Sequence, residues 1–345
     1  MNPPTPAARR KAVILFSGGL DSILAARALL DQGIDLHALH FDYPFMNKDI
    51  ALDAADAGNR SRALLAADRL GIPVRTAHLG EEYLDIVRHP LHGRGKGMNP
   101  CIDCRIFSLR AARVFMEEIG ASFLVTGEVV GQRPMSQRED AIRVIDRYSG
   151  CGGIVLRPLS AKILAPTVPE LEGWVDREKL FAIYGRSRRE QMRLAKEWGI
   201  GEYPGSGGGC LLTDRTFSVK VRDLVDRQPG FGMFDVRLLM FGRHFRVGPV
   251  KAVVAKSAEE NRRLEAFCRG QIPVYVSESH PGPSVAIVGG DPAERMDALS
   301  RILTRYSKAD RSGPYEVREV SPGGERMVTV PENRDFSEVG RGLLC

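Results

Sequence analysis

Two glycines and three hydroxyl or carboxyl side chains fall within six residues, directly after an unbroken apolar run. The run, Val13 to Phe16, is typical of a buried strand, and a helix pattern opens near Ile23. Between them lies the segment Ser17-Gly18-Gly19-Leu20-Asp21-Ser22. At such a turn backbone N–H groups converge on one point, and glycine lets an anion approach the main chain. No Gly-Lys-Ser/Thr follows, so the segment predicts a phosphate site of a different kind from a Walker loop.

Three of the six cysteines stand in contexts suited to chemistry. Cys101 and Cys104 are one helical turn apart near a predicted helix start, where the helix dipole lowers the pKa of a thiol. Cys210 follows a glycine-rich run over 205–209. Three thiolates would leave one iron of a [4Fe–4S] cluster open, whereas a zinc site normally takes a fourth ligand. The alternative is that Cys104 and Cys210 are small buried side chains. The other cysteines lack such a context: Cys151, Cys268 and Cys345.

The first part of the chain alternates short apolar runs with helical patterns, which is typical of a parallel sheet covered by helices. A long loop rich in Gly, His and Arg, 89–100, precedes Cys101 and a helix over 105–119. The other predicted strands are 35–41, 73–79 and 122–126, and the other predicted helices are 23–30 and 51–70.

The alternation of strand and helix patterns becomes less regular after Gly150. Basic and apolar spacings predict helices over 186–198 and 216–225, and Pro229-Gly230 indicates a domain boundary. Beyond it, period-two runs over 236–241 and 250–255 predict strands of a small α+β module. The predicted division is a disordered N-terminus (1–10), a nucleotide-binding domain (11–228) and a C-terminal domain (229–345).

Length and composition limit the classes of protein. The 345 residues, 43% hydrophobic and 27% charged, predict about two globular domains. No apolar run approaches the roughly 18 residues that a membrane-spanning helix needs, and no secretory signal is evident, so we expect a cytoplasmic protein. The net charge of +6 permits a polyanionic partner without requiring one.

The phosphate loop resembles, at every position, the Ser-Gly-Gly-x-Asp-Ser signature of PP-loop ATP pyrophosphatases. Those enzymes cleave ATP between the α and β phosphates and adenylate a carbonyl oxygen. The resemblance implies that Ser17, Gly18, Gly19 and Ser22, with Leu20, hold pyrophosphate and that Asp21 helps to bind Mg²⁺. It also implies that adenine lies near Phe41 and Asp42, where a simple strand end is an equal alternative.

A second segment, Thr126-Gly127-Glu128-Val129-Val130-Gly131-Gln132 followed by Ser136-Gln137, is similar to a stretch of tRNA 4-thiouridine synthetases, as is the later element 156–159. This resemblance covers about 11–225, and it adds Thr126, Gly127 and Gln132 to the expected ATP site. The extended RNA-binding region and the rhodanese-like tail of well-known members are not evident. The three cysteines share the pattern of cluster-dependent tRNA thiolases, which implies sulfide bound on the open iron of a [4Fe–4S] cluster.

The segments 237–246 and 259–264 resemble the NFACT-R type of RNA-binding domain. Cations interleaved with aromatic side chains suit contacts to phosphate and base. The residues expected to bind RNA are Arg243, His244, Arg246, Lys251, Arg262 and Arg263, with a solvated charged face as the alternative. A second cluster, for which an ordinary surface helix is equally open, is Arg186, Arg188, Arg189, Arg193 and Lys196.

These patterns predict an ATP-dependent tRNA sulfurtransferase with a doubly wound α/β domain and a smaller α+β domain. The expected product is 4-thiouridine at position 8, with 2-thiolation of an anticodon uridine and a small-molecule amidating ligase as alternatives. Without a cluster, Cys210 would carry a persulfide that Cys101 or Cys104 resolves. The expected partners are tRNA and either sulfide or a sulfur-donor protein. A homodimer is one oligomeric state that the sequence leaves open.

Overall fold

A computed structural model describes residues 10–45, 62–201, 203, 209–306, 314–335 and 344. The described residues up to Cys210 form one compact unit, and those from Leu211 onwards form a second. This division falls one helix before the boundary predicted from Pro229-Gly230. Residues 1–9 of the predicted N-terminal segment and 51–61 of the predicted helix 51–70 lie outside the described residues.

The first unit is a parallel sheet with helices between its strands. The described strands pair in the order β3-β2-β1-β4-β5 and every pairing is parallel, which confirms the predicted doubly wound sheet. The strands are β1 (Lys11–Leu15), β2 (Asp35–Asp42), β3 (Val74–His78), β4 (Phe123–Thr126) and β5 (Val155–Leu156). The helices are α1 (Leu20–Leu30), α2 (Arg62–Leu70), α3 (Glu81–Arg88), α4 (Cys101–Glu118), α5 (Glu139–Ser149), α6 (Val168–Leu171) and α7 (Arg189–Glu197), with a 3₁₀ turn at Arg177–Lys179.

The sheet changes direction at β1. The chain passes from β1 to β2 and β3 on one side, and then to β4 and β5 on the other. Leu15, at the end of β1, stands opposite Leu39 of β2 and Thr126 of β4. Open α/β sheets bind ligands in the crevice at the carboxyl ends of the strands where the order reverses. The phosphate loop therefore leaves the sheet at that crevice.

The central strand is buried on both faces, which explains its unbroken apolar run. Ala12, Val13 and Ile14 have no exposed surface, and Leu24 of α1 packs in the same cluster. A strand covered by helices on both sides needs apolar residues at every position, and each fully buried Ile or Leu contributes roughly 1.5–3 kcal/mol. The loop after β1 is thus fixed to a strand that is buried from Ala12 to Leu15.

The second unit is an antiparallel sheet with helices, as the α+β prediction requires. The described strands follow the order β11-β10-β8-β9-β7-β6. They are β6 (Arg243–Val247), β7 (Val250–Val254), β8 (Val274–Ser277), β9 (Val285–Val288), β10 (Tyr315–Ser321) and β11 (Gly324–Val330). The helices are α8 (Arg215–Arg227), α9 (Met233–Leu238), α10 (Ala258–Cys268) and α11 (Pro292–Tyr306), with a 3₁₀ turn at Leu211–Thr213.

One predicted strand is a helix. The run 236–241 was expected to form a strand, but 233–238 forms α9. The Asp235 carboxylate accepts a hydrogen bond of 2.8 Å from the Gly232 N–H, which caps the helix start. Val236 and Leu239, three positions apart, have no exposed surface, as one face of a helix requires. The cap and this spacing outweigh the period-two pattern.

None of the helices within the described ranges combines the length and the apolar character that crossing a lipid bilayer requires.

The end of β4 approaches the start of α1 so closely that only glycine fits. A Cβ on Gly127 would lie 2.6 Å from the carbonyl carbon and oxygen of Asp21 and from the amide nitrogen of Ser22. These neighbours are backbone atoms and cannot rotate away. Gly127 therefore sets the distance between β4 and the phosphate loop.

We predict that Gly127→Ala lowers the free energy of unfolding by about 1–3 kcal/mol, the usual cost of overpacking. Urea denaturation measures it. Gly201→Ala is the matched control, because among the described residues no atom outside its chain neighbours lies within 4 Å of a Cβ at that position. Equal stability of the two variants would contradict the close approach.

Candidate nucleotide and thiol site

The phosphate loop is held in shape by its own serines. Gly18 adopts a positive φ of 70°, which favours glycine. The Ser22 hydroxyl donates to the Gly19 carbonyl at 2.8 Å, and the Ser17 and Ser22 hydroxyls lie 3.3 Å apart. Leu20 is buried, so it can offer only its backbone to a ligand. The loop is a preformed turn at the N-terminus of α1, where helix N–H groups favour an anion.

The carboxylate of Asp21 is only half satisfied. Gln132 donates through Nε2 to Asp21 Oδ2 at 2.9 Å, whereas Asp21 Oδ1 is buried and has no hydrogen-bond partner in the described part of the chain. Burial raises the pKa of Asp21, although the Gln132 bond opposes the shift. Mg²⁺ is commonly held by one or two carboxylates together with substrate phosphates. The orphaned oxygen fits that role, and the assignment of Asp21 to Mg²⁺ and of Gln132 to the ATP site stays a prediction.

Two polar residues of α7 and its approach also face Asp21, which the sequence did not predict. Gln191 has no exposed surface, and neither polar atom of its amide has a hydrogen-bond partner among the described residues. Arg188 Nε is buried and equally without a hydrogen-bond partner there. Both residues, like Arg133, lower the pKa of Asp21. Buried polar groups normally find partners, so this set suits a ligand rich in oxygen.

A signal for Gln191 was present in the sequence. It lies three and four positions before Leu194 and Ala195, which are both buried on the same face of α7. A glutamine on the buried face of a helix implies a polar partner inside the fold. The arginine-rich composition of the segment instead favoured a solvated helix.

Thr126 and Phe41 flank the loop but are committed to the protein. The Thr126 hydroxyl donates to Glu128 at 3.2 Å and has almost no exposed surface. Phe41 is 8% exposed, and its ring centroid lies 5.8 Å from that of Tyr43. Thr126 therefore helps to hold the Glu128 carboxylate in place. The contact of Phe41 with adenine stays a prediction.

Glu128 joins three elements through buried ion pairs. Its carboxylate lies 2.9 Å from Arg105 of α4 and 3.0 Å from Arg157, which also contacts Asp146 of α5 at 2.7 Å. Burial alone would raise the pKa of Glu128, but the two arginines outweigh it and the net pKa is lowered. Arg105 directly follows Cys104 in the chain. The network therefore fixes the start of α4 beside the end of β4.

The two cysteines of the CxxC pair lie on the first turn of α4, which starts at Cys101 rather than near 105. The Tyr83 hydroxyl donates to Cys104 Sγ at 3.3 Å, and the Tyr83 ring contacts that of Tyr43 with centroids 5.5 Å apart. Burial raises the pKa of Cys104. The expectation of a lowered pKa is therefore wrong for Cys104, because desolvation exceeds the dipole effect at this position.

Cys101 has a different environment. The Asn99 amide nitrogen donates a hydrogen bond to Cys101 Sγ at 3.1 Å. The preceding loop is anchored to α4 because Asp103 accepts hydrogen bonds from the backbone N–H of His92 at 3.0 Å and contacts its ring at 2.8 Å. The half-buried Cys101 is thus held at the helix start by its neighbours.

Cys210 lies near this pair. Burial raises the pKa of Tyr83, and negative charge on Cys104 and then on Cys210 adds to the shift, so Cys210 is within electrostatic range of the phenol. Within the described ranges, however, no three His, Cys, Asp or Glu side chains are placed to hold a metal ion. The three thiols share a neighbourhood but do not form a three-ligand metal site.

The residues expected to bind RNA in the second unit differ in exposure. Arg262 is exposed, Arg263 and Arg243 are half-buried, and the guanidinium of Arg243 lies 5.7 Å from the ring centroid of Tyr306. Arg246 is paired with Asp223 at 2.6 Å.

Two members of that set are interior residues, which corrects their assignment. His244 has no exposed surface and Lys251 is 2% exposed. Burial lowers the pKa of Lys251 to about 8 and that of His244 well below its usual value. β6 is buried at three of its five positions and β7 at all five, which the charge pattern does not reveal. Neither side chain can contact RNA from this position.

Two family models match the chain. Residues 7–162 match the family described as thiamine biosynthesis protein (ThiI), and residues 242–335 match the NFACT protein RNA binding domain. Residues 7–162 are therefore similar to a ThiI domain and residues 242–335 to an NFACT RNA-binding domain, which agrees with both predicted resemblances over those residues. The cluster-dependent subtype stays a prediction.

Similar full-length proteins are tRNA-specific 2-thiouridylases named MnmA. That of Pseudomonas fluorescens strain SBW25 is 24% identical over 233 residues, covering 66% of this chain and 59% of the relative. That of Marinobacter nauticus is 27% identical over 237 residues, covering 66% and 57%. The chain thus spans under three fifths of their length. A crystal structure of a 4-thiouridine synthetase–RNA complex with bound ATP is 21% identical, covers 55% of this chain and 52% of that one, and has a TM-score of 0.32.

We predict that Glu128→Gln lowers the free energy of unfolding by about 3–5 kcal/mol at neutral pH, because two buried guanidinium groups lose their shared charge. Glu128 has a lowered pKa, so its contribution is full above the unfolded pKa and is lost as the pH falls through the folded pKa. The difference between variant and wild type should therefore shrink in acid, as chemical denaturation at several pH values will show.

Glu117→Gln is the matched control. Glu117 pairs with Arg113 at 2.9 Å, but both side chains are exposed, so its loss should change stability little at any pH. A pH-independent effect of Glu128→Gln, or an effect no larger than that of the control, would contradict the role of the network.

Proposed function

We propose that the protein is an ATP-dependent tRNA sulfurtransferase, which activates a uridine carbonyl by adenylation and replaces its oxygen with sulfur. The observation that carries this proposal is the set of unsatisfied buried polar groups around Asp21, joined through Glu128 to a helix that begins with two thiols. Phosphate binding and sulfur chemistry therefore fall on neighbouring elements of one unit.

In the first step the chain holds ATP and its leaving group. The loop 17–22 would surround the β and γ phosphates, Asp21 would hold Mg²⁺, and Arg188 would face the developing negative charge. Mg²⁺ supplies Lewis-acid charge neutralisation at the phosphates. The uridine oxygen attacks the α phosphorus, pyrophosphate departs, and the base loses its N3 proton. The uridine carbon then carries AMP as a leaving group.

In the second step a sulfur nucleophile displaces AMP. A sulfur-donor protein would load Cys210 as a persulfide, whose terminal sulfur attacks the activated carbon while AMP leaves with the C–O electron pair. A second thiolate then attacks Cys210 Sγ and breaks the S–S bond. The bond's electrons pass to the sulfur on the base, N3 regains a proton, and a protein disulfide forms that an external thiol reductant reopens. Cys101 suits this resolving role because it is a half-buried free thiol whose position is held by the Asn99 hydrogen bond.

The alternative sulfur carrier is the [4Fe–4S] cluster predicted from the sequence. The three thiols are chemically suitable ligands, but their described arrangement does not fit a metal site. We therefore derive no step through a cluster. Stoichiometric iron and acid-labile sulfide in anaerobically purified protein would favour the cluster, and their absence would favour the persulfide. The sulfur donor and the homodimer stay predictions.

The site of modification is proposed to be O4 of uridine at position 8, giving 4-thiouridine. The similarity to 2-thiouridylases supports C2 of an anticodon uridine as the alternative. Both reactions begin from the same adenylate. An amidating ligase, the remaining alternative, would need ammonia and no RNA.

The test measures pyrophosphate release from ATP with and without tRNA, and then the thionucleosides of that tRNA by mass spectrometry. We expect tRNA-dependent pyrophosphate release and 4-thiouridine. Asp21→Asn should lower the rate by about 10²-fold or more, because a charged Mg²⁺ ligand is lost. It should not lower stability, because it removes a half-satisfied buried carboxylate. Absence of any thionucleoside, or pyrophosphate release at the same rate with and without tRNA, would overturn the proposal.

We predict that Cys210→Ala abolishes thiolation while ATP affinity and tRNA-dependent pyrophosphate release persist, because adenylation does not use the thiol. Thionucleoside analysis and ATP titration measure the two steps separately. Cys268→Ala, at a buried cysteine of the second unit, is the control and should retain thiolation. Full thiolation by Cys210→Ala would remove Cys210 from sulfur transfer.

A further inference from the structure

An exposed aromatic side chain stands at the edge of the nucleotide site. Tyr184 is 68% exposed, which is unusual for a ring of this size. A Cβ built on Gly131 would lie 3.2 Å from Tyr184 Cζ, so the ring rests against Gly131. Gly131 directly precedes Gln132, which binds Asp21. The ring therefore contacts the segment that positions Gln132, while most of its surface is open to solvent.

The position of Tyr184 is fixed by the backbone. The Gly185 N–H donates to the Val130 carbonyl at 2.7 Å, and the Ile183 N–H donates to the Leu159 carbonyl at 2.8 Å. The Ser160 hydroxyl donates to the Ile183 carbonyl at 2.7 Å and accepts from the Val130 N–H at 3.0 Å. The segment on either side of Tyr184 is thus bonded to the loop that follows β4. A ring held in this way loses little conformational freedom when it binds a ligand.

Four arginines that lie within a few residues of Tyr184 or Gly131 in the sequence make no ion pair in the described part of the chain. Of these, Arg133, Arg186 and Arg189 are exposed and Arg188 is half-buried. Arg193, further along α7, is instead bound by Glu190 and Glu197. Arginines without an ion pair, close in sequence to an exposed ring, suit a ligand with an aromatic face and phosphates, which is a nucleotide.

The sheet order separates this ring from the expected adenine position. Phe41 lies at the end of β2, on one side of β1, whereas Gly131 follows β4 on the other side. If ATP places its base toward β2, the side of β4 is left for the acceptor. An enzyme that modifies a base within folded RNA must take that base out of its stack, and an aromatic platform stabilises it there.

We propose that Tyr184 stacks on the extruded target base of the RNA and that Arg186 and Arg189 bind its flanking phosphates. This inference rests on the proposed function, and it names the residue that would recognise the RNA base to be modified. Tyr184 is a substrate-binding residue, and neither the phosphate loop nor the thiols depend on it.

The test compares three substitutions of Tyr184. Base stacking on an aromatic ring implies that Tyr184→Ala lowers kcat/KM for tRNA by about 5- to 150-fold, with unchanged ATP affinity and thermal stability. Tyr184→Phe should retain most of the activity, because stacking needs no hydroxyl. Tyr184→Leu should resemble the alanine variant although it restores apolar bulk. Equal kcat/KM for alanine and wild type, or rescue by leucine, would overturn the proposal.

Arginine variants test the phosphate contacts. Arg189→Ala should weaken tRNA binding and reduce its salt dependence, whereas Arg193→Ala on the same helix should do neither, because its charge is already neutralised. A weaker ATP affinity of Tyr184→Ala, with tRNA kinetics unchanged, would show that the ring stacks on adenine and would overturn the proposal.

A binding assay keeps the two proposals distinguishable. tRNA transcribed with 5-bromouridine is irradiated with the full-length protein, and the crosslinked peptide is mapped; we expect Tyr184, and its loss in Tyr184→Phe and Tyr184→Ala. Wild-type protein that forms no thionucleoside would refute the sulfurtransferase, whereas a Tyr184 crosslink would still support base recognition. Crosslinks that avoid the 183–189 segment would refute the stacking role even in an active enzyme.

Discussion

A single buried carboxylate, that of Glu128, connects the end of β4 beside the phosphate loop to the helix that carries Cys101 and Cys104. Glu128 pairs with Arg105 of α4 and with Arg157 from the segment after β5. It directly follows Gly127, which contacts the phosphate loop. Such pairs gain little over an apolar core of the same volume, but each partner becomes costly when the other is removed. The network therefore specifies the relative position of the elements more than it adds stability. The proposed sulfur transfer would require that kind of constraint, because a thiol has to meet an activated carbon.

The two acidic residues of the site contrast with each other. Glu128 Oε1 and Asp21 Oδ1 both lack a hydrogen-bond partner among the described residues, but Glu128 lies between two arginines that lower its pKa, whereas the net effect of burial raises the pKa of Asp21. The arginines around Glu128 stabilise the fold, whereas the carboxylate of Asp21 is left without a comparable partner. Buried polar groups without partners are rare, and around Asp21 they come from the phosphate loop, the β4 loop and α7 together. Groups from separate elements that converge in this way are best explained by a ligand that binds all of them.

The sequence predicted the sheet, the phosphate loop and the CxxC helix well because each has a strong local signal. Buried parallel strands are uninterrupted apolar runs, and the loop is recognised by six consecutive residues. Roles that depend on burial were not accessible in this way. His244 and Lys251 look like RNA contacts because the charge pattern does not show which face of a strand is covered. Gln191 was missed for the opposite reason, since an arginine-rich helix hid its one buried polar position. The thiol of Cys104 was expected to be acidic, but a tyrosine cluster that is distant in sequence desolvates it.

These corrections change how the positive charge should be interpreted. Arg246 and Lys251 share Asp223, and the ammonium of Lys220 donates to the carbonyls of Leu239 and Gly242 at 3.1 and 3.2 Å. Cations used inside a fold release no counterions when RNA binds, so they add nothing to the electrostatic part of affinity. The net charge of +6 therefore measures RNA affinity poorly. What matters is where cations without an ion pair lie, and among the described residues Arg188 and Arg133 are two that act on the carboxylate of Asp21 beside the phosphate loop. An RNA substrate of the proposed reaction would therefore be attracted to the place where its base would be adenylated.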